Sequence, residues 1–136
     1  MFKKKIKAVN LVCAGLIIAF VGSSAIPAFA ANHNFEFSFS FDYGNIERTT
    51  TEYKETGDAV TMTCTGSDNL SSYNYTAWVH SDEGDTTHGI GLSVGKTAVF
   101  YDVSNFAGKG VYIQASLNGR DVDAFWGTWN PDDTRY

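Results

Sequence analysis

The stretch Asn34-Phe35-Glu36-Phe37-Ser38-Phe39-Ser40-Phe41 alternates a polar residue with a phenylalanine at every step. Successive side chains of a β-strand point to opposite faces of a sheet, so this spacing places all the phenylalanine rings on one face and the polar groups on the other. A helix with the same sequence would spread the rings around its circumference. The stretch therefore predicts a half-buried strand.

Other segments with the sequence pattern of a β-strand follow along the chain. Further candidate strands lie at residues 48–54, 59–65, 72–80, 90–94, 97–103, 111–117 and 120–126. The segment 48–54 has the charges of an edge strand, and the core face of 72–80 is ambiguous because both of its faces carry aromatic side chains. Glycine-containing turns separate most of the segments, and no capped amphipathic helix is apparent. These features predict an all-β domain, a single antiparallel β-sandwich of about seven or eight strands, with a closed barrel as the alternative.

The dipeptide Asn118-Gly119 is the strongest turn signal of the chain. Both central residues of a type I′ hairpin need positive φ, and Asn-Gly is the preferred pair for such a turn. A hairpin built on this turn places Val111 opposite Trp126 on an apolar inner face. It places Tyr112 opposite Phe125 on the outer face.

The candidate ligand-binding residues are the aromatic side chains that this register puts on the outer face, namely Tyr112, Phe125 and Trp129. Exposed aromatic rings beside carboxylates and amides are suited to stacking sugar rings and bonding their hydroxyl groups. The alternative is that the same face packs beneath the amino-terminal strand or a loop.

Residues 1–30 have the parts of a secretory signal peptide. Four lysines precede an apolar run at residues 11–22, and Ala28-Phe29-Ala30 supplies the small residues that signal peptidase prefers. The apolar run is shorter than the roughly 20 residues that span a bilayer. We therefore expect cleavage after Ala30 and a secreted, extracellular domain of residues 31–136, with no stable membrane insertion.

Cleavage would make the chain markedly acidic. It removes four of the ten basic residues and none of the fifteen acidic ones, leaving six against fifteen and a formal net charge of minus nine. Such a surface repels phosphate backbones and argues against a nucleic-acid partner. A cell-wall glycan or another surface protein fits better, and we expect a monomer or weak oligomer without a cofactor.

Only Cys64 would remain after cleavage, because Cys13 lies within the candidate signal peptide. No intrachain disulfide is then available. Alternation across residues 59–65 points Cys64 inward, so we expect it to be a buried small apolar side chain.

Several motifs have both a functional and a structural interpretation. Gly91-Leu92-Ser93-Val94-Gly95 matches the nucleophile elbow of hydrolases, but that motif requires a strand turning into a helix, and this segment predicts strand. Leu92 and Val94 are expected in the core. We therefore expect no catalytic residues and no enzymatic activity.

Metal binding is not predicted, although two segments leave the question open. The acidic loop formed by Asp82, Glu83 and Asp85 has calcium-type ligands without EF-hand spacing. Cleavage after Ala30 would also expose Ala31-Asn32-His33, a terminus able to hold copper(II) or nickel(II) in a square plane. Solvated side chains are the simpler interpretation of both.

The carboxyl-terminal stretch Ala124-Phe125-Trp126-Gly127-Thr128-Trp129-Asn130-Pro131-Asp132-Asp133 resembles the close of small secreted Gram-positive proteins that form a family of unknown function. The likeness extends loosely over residues 48–133. It implies an all-β fold and an extracellular location, with no catalytic residues. A more distant similarity is to the lactococcin 972-like bacteriocins, from which this chain differs in its acidity and in having one cysteine after cleavage.

Together these features predict a secreted, non-enzymatic binding protein that acts at or outside the bacterial cell surface. A bacteriocin-like antimicrobial or competition factor is the alternative, followed by a small secreted hydrolase.

Overall fold

The computed structural model of the chain describes residues 31–40, 46–68, 74–118 and 123–136. The strands in these ranges are β1 (His33–Phe39), β2 (Ile46–Arg48), β3 (Glu52–Lys54), β4 (Ala59–Ser67), β5 (Tyr75–Ser81), β6 (Ile90–Leu92), β7 (Thr97–Phe100), β8 (Lys109–Leu117) and β9 (Asp123–Asp133). A 3₁₀ turn at Ser104–Phe106 is the one helical element of the described residues. In the same ranges, no helix has the length and hydrophobicity to span a membrane. The candidate signal peptide, residues 1–30, lies outside them.

The strands form two antiparallel sheets, which confirms the predicted sandwich. The four-stranded sheet has the order β1-β9-β4-β7, and the five-stranded sheet has the order β2-β8-β5-β6 with β3 also paired to β8. Strands β2 and β3 lie along the same edge of β8 and correspond to the single edge strand predicted at 48–54. Between them, the Thr49 hydroxyl accepts a hydrogen bond from the Ile113 amide at 2.9 Å, which keeps the interrupted edge attached.

Apolar side chains from both sheets meet in one core. The phenylalanines of β1 at positions 35, 37 and 39 are buried, as their alternation predicts. On β5 the inward face is the one that carries Tyr75, Ala77 and Val79. The Tyr75 ring joins the sheets, since its centroid lies 4.9 Å from that of Phe125 on β9.

The predicted hairpin between residues 111–117 and 120–126 is wrong. Strand β8 pairs with β5, placing Tyr112 opposite His80, whereas β9 pairs with β1, placing Phe125 opposite Phe37. The two strands therefore lie in different sheets, and residues 119–122 between them lie outside the described residues. The physical reason is that alternation gives each strand an apolar face without specifying its neighbour. Here the two apolar faces pack against each other across the core.

A buried ion pair also connects the sheets, and the edge-strand interpretation did not anticipate it. Lys54 of β3 is fully buried, and its ammonium donates to Asp132 Oδ1 of β9 at 3.0 Å and to two backbone carbonyl oxygens. The Asp132 carboxylate also accepts the backbone amides of Glu55 at 2.8 Å and Thr56 at 3.0 Å. Both charges are thus paired and hydrogen-bonded away from solvent, as buried charges must be.

Candidate functional site

The three residues predicted to bind ligand do not share a surface. Phe125 and Trp129 are core residues with exposed fractions of 0% and 1%, and they lie in the four-stranded sheet. Tyr112 is half-buried on the outer face of the five-stranded sheet. Phe125 and Trp129 face the core between the two sheets, and β1 is their lateral neighbour within the four-stranded sheet.

The faces of the Tyr112 ring are already occupied. The His80 ring of β5 stacks on it with a centroid distance of 5.3 Å and an interplanar angle of 8°, and the Arg48 guanidinium carbon of β2 lies 5.1 Å from its centroid. Since β2 and β5 flank β8, the two groups approach Tyr112 from opposite sides. Burial lowers the pKa of His80, which favours the neutral ring in this stack. Tyr112 therefore packs against groups from both flanking strands.

The exposed aromatic residue of β9 is Trp126, with 39% of its surface accessible. Its side chain points away from the core because the neighbouring positions, Phe125 and Gly127, face inward. The indole lies across Gly66 of β4: a methyl group at position 66 would meet three ring atoms at 2.5 to 2.7 Å. The missing side chain at Gly66 thus lets the ring lie close against the sheet while part of its surface stays accessible to solvent.

Trp126 lines a shallow, open depression of about 530 Å³ on the outer face of the four-stranded sheet. Phe35 and Gly127 also line it, but most of the other side chains around the indole are polar. We call the indole and these polar residues the Trp126 platform: Trp126, Asn34, Glu36, Thr65 and Thr128. Pairing of β1 with β9 places Glu36 opposite Trp126 and Asn34 opposite Thr128. The Thr65 hydroxyl donates to the Trp126 carbonyl at 3.3 Å and so belongs to the same surface. A flat ring bordered by amide, carboxylate and hydroxyl groups matches the two needs of sugar binding, stacking and directed hydrogen bonds.

Alternation along β9 could have predicted that Trp126 faces outward, but the predicted hairpin register placed it on the inner face. Trp126 and the polar residue Thr128 are two positions apart on β9, so their side chains point to the same face of the sheet. Phe125 and Trp129 point to the opposite face. Placing Trp126 opposite Val111 put it in the core instead. Once β9 pairs with the phenylalanine-rich β1, the core face must be the one that carries Phe125.

The segment 91–95 does not have the geometry of a nucleophile elbow. Gly91 and Leu92 belong to β6, and the following residues cross to β7 in the other sheet without forming a helix. Leu92 is buried as predicted, whereas Val94 is exposed on the turn, so its predicted core position is wrong. The nearby His88 Nδ1 and Asp102 Oδ2 lie 3.6 Å apart, and both side chains are almost fully solvated.

The acidic loop is held by a lysine. Lys109 Nζ lies 2.7 Å from Asp85 Oδ2 and 3.2 Å from Glu83 Oε2, and the Ser81 hydroxyl also donates to Asp85. Hydrogen bonds from Lys109 and Ser81 lower the pKa of Asp85. Among the described residues, no three histidine, cysteine or acidic side chains are grouped so as to hold a metal ion.

His33 and Cys64 have clear structural surroundings. His33 begins β1, and its Nδ1 lies 3.5 Å from Glu52 Oε1. Its role in a metal-binding terminus depends on cleavage after residue 30, outside the described residues, and stays a prediction. Cys64 is fully buried as expected, and burial raises the pKa of its thiol.

No protein-family model matches this chain, no curated protein matches its sequence significantly, and no solved structure matches its fold significantly. The resemblance of residues 124–133 to small secreted Gram-positive proteins stays a prediction, and function is argued from the surface itself.

Proposed function

We propose that residues 31–136 form a secreted, non-enzymatic module that binds glycans at or outside the bacterial cell surface through the Trp126 platform. The observation that carries the proposal is the exposed indole lying against Gly66 within an open depression bordered by hydrogen-bonding side chains. The lysine-rich start, apolar run and small residues of positions 1–30 support export.

The shape of the depression suits a polymer. Its floor is a sheet and it is open to solvent, so a glycan chain can cross it without its ends being enclosed. One stacked ring and a few hydrogen bonds bury little surface, and most binding energy must come from the indole. We therefore expect dissociation constants of about 10 µM to 1 mM for a single chain segment.

Charge limits the class of glycan at this platform. Glu36 lies opposite Trp126, and its carboxylate would repel the carboxylate of an acidic sugar. The same group accepts hydrogen bonds from sugar hydroxyls. Neutral hydroxyl-rich or N-acetylated polymers are therefore the expected ligands of the Trp126 platform.

The test is co-sedimentation of the secreted protein with microcrystalline cellulose and with chitin. We expect Trp126→Ala to weaken binding at least about tenfold, since aromatic stacking and burial of this size contribute on the order of 1.5 kcal/mol. Tyr53→Ala is the matched control, because Tyr53 is also an exposed aromatic residue but lies in the five-stranded sheet. Circular dichroism verifies that both variants fold.

Two outcomes would count against the proposal. Equal binding by the wild type and Trp126→Ala would remove the platform from the interaction. Growth inhibition of related bacteria that is unaffected by Trp126→Ala, without glycan binding, would favour the competition-factor alternative.

A further inference from the structure

We infer that the outer face of the five-stranded sheet holds a second saccharide subsite, selective for a sugar that bears a carboxylate and formed by Trp78, Gln114 and Arg48. This subsite lies on the opposite face of the sandwich from the Trp126 platform and uses none of its residues. It extends the proposed function to a second ligand class.

The register of three neighbouring strands places the backbone positions of these residues in one row. Gln114 of β8 lies opposite Arg48 of β2 on one side and opposite Trp78 of β5 on the other. Adjacent strands are about 4.8 Å apart, so the row from Arg48 to Trp78 extends over about 10 Å. One pyranose ring with its carboxylate fits that length.

Trp78 provides a ring surface of the same kind as Trp126. A methyl group at Gly89 would lie 2.6 Å from the Trp78 indole nitrogen and 2.8 Å from Cε2. The indole is therefore packed against a glycine of the neighbouring segment, and the side chain remains half-exposed. Each sheet of the sandwich thus carries one outward indole packed against a glycine backbone.

Arg48 is exposed, and its guanidinium is held against an aromatic ring. Its guanidinium lies against the Tyr112 ring, which is itself stacked on His80. Among the described residues it contacts no carboxylate, whereas Lys54, Lys109 and Arg135 each form salt bridges. A guanidinium held in place by an aromatic ring loses less entropy when it binds a carboxylate in a bidentate manner.

The row therefore has the parts needed for a uronic acid residue. The sugar ring stacks on Trp78, the Gln114 amide hydrogen-bonds a hydroxyl, and Arg48 pairs with the carboxylate. In a domain with excess negative charge, this local cation determines which anionic polymer is accepted. A molecule that binds at both faces would link an acidic glycan to a neutral one.

The test compares polygalacturonate with its methyl-esterified form by affinity electrophoresis of the whole secreted protein. We expect the wild type to bind polygalacturonate at least about tenfold more tightly than the ester at low salt, because a charge-assisted bidentate pair is lost in the ester. Arg48→Gln should reduce polygalacturonate binding to the level of the ester and leave ester binding unchanged. Raising sodium chloride from about 20 mM to about 500 mM should narrow the difference in affinity between the acid and the ester in the wild type, because salt screens the pair between Arg48 and the carboxylate.

Matched variants distinguish binding at this subsite from a general effect of positive charge and from binding at the Trp126 platform. Lys96→Gln removes an exposed positive charge elsewhere and should leave polygalacturonate binding intact. Trp78→Ala should weaken binding of both polymers. Trp126→Ala should leave polygalacturonate binding unchanged and weaken only binding of the neutral ester, which the Trp126 platform also accepts. A failure of the Trp126 platform and a failure of this subsite are therefore separately visible.

Equal affinity for the acid and the ester, or equal effects of Arg48→Gln and Lys96→Gln, would overturn the inference. Tighter binding of a single-stranded oligonucleotide of equal charge would also overturn it, by assigning the face to a different polyanion.

Discussion

Replacing Lys54 with methionine tests the buried ion pair most directly. The Lys54 ammonium has no solvent access, and its three hydrogen-bond acceptors are two backbone carbonyls and Asp132 Oδ1. Methionine fills most of the aliphatic volume but leaves the Asp132 carboxylate without its cation. The variant therefore removes the charge partner with little change in packing.

The expected loss of stability follows from what remains around Asp132. Removing one partner of a buried pair costs about 3 to 5 kcal/mol because a buried charge is left uncompensated. Asp132 keeps two backbone amides and the Thr56 hydroxyl, so we expect the lower end, about 3 kcal/mol. For a domain of this size, that loss lowers the melting temperature by about 15 °C.

Urea unfolding followed by tryptophan fluorescence measures this loss. Lys96→Met, at an exposed lysine, is the matched control and should change the unfolding free energy by less than about 0.5 kcal/mol. Adding Asp132→Asn to Lys54→Met removes the stranded charge and should recover about 1 to 2 kcal/mol. A loss below about 1 kcal/mol in Lys54→Met, with an unchanged urea dependence, would refute the reasoning.

Two further results are expected. Hydrogen bonds from Arg135 lower the pKa of Asp133 to about 2, which is below the pKa of this carboxyl group in the unfolded chain. The ionised carboxylate therefore stabilises the fold fully above about pH 4, and this stabilisation is lost as the pH falls toward 2. Asp133→Asn should remove about 1 kcal/mol of this pH-dependent stability. The value is small because solvent around the exposed Arg135 screens the pair. If the urea midpoint of the variant changes with pH as that of the wild type does, the prediction is contradicted. Cys64 should resist a thiol reagent such as Ellman's in the folded protein and react on unfolding, because it is buried with a raised pKa; rapid labelling of the native protein would show that it is accessible.

The candidate site was only partly predictable. Tyr112 was correctly placed on an outer face, but its ring is covered by His80 and Arg48, which are distant in sequence. Trp126 was assigned to the core because local turn chemistry suggested a hairpin that does not form. The glycines that make room for the two outward indoles act through strand pairing, which no local pattern reveals.

Sequence alone determined the fold class and the inward face of β1, because strict alternation of Phe35, Phe37 and Phe39 with polar residues has one low-energy arrangement. It also predicted a buried Cys64. Tertiary structure decided which strands are neighbours, and thereby placed Trp126 outside and Phe125 inside. The physical reason is that a strand's own pattern sets its two faces, whereas the choice of partner depends on how apolar faces from distant segments pack together.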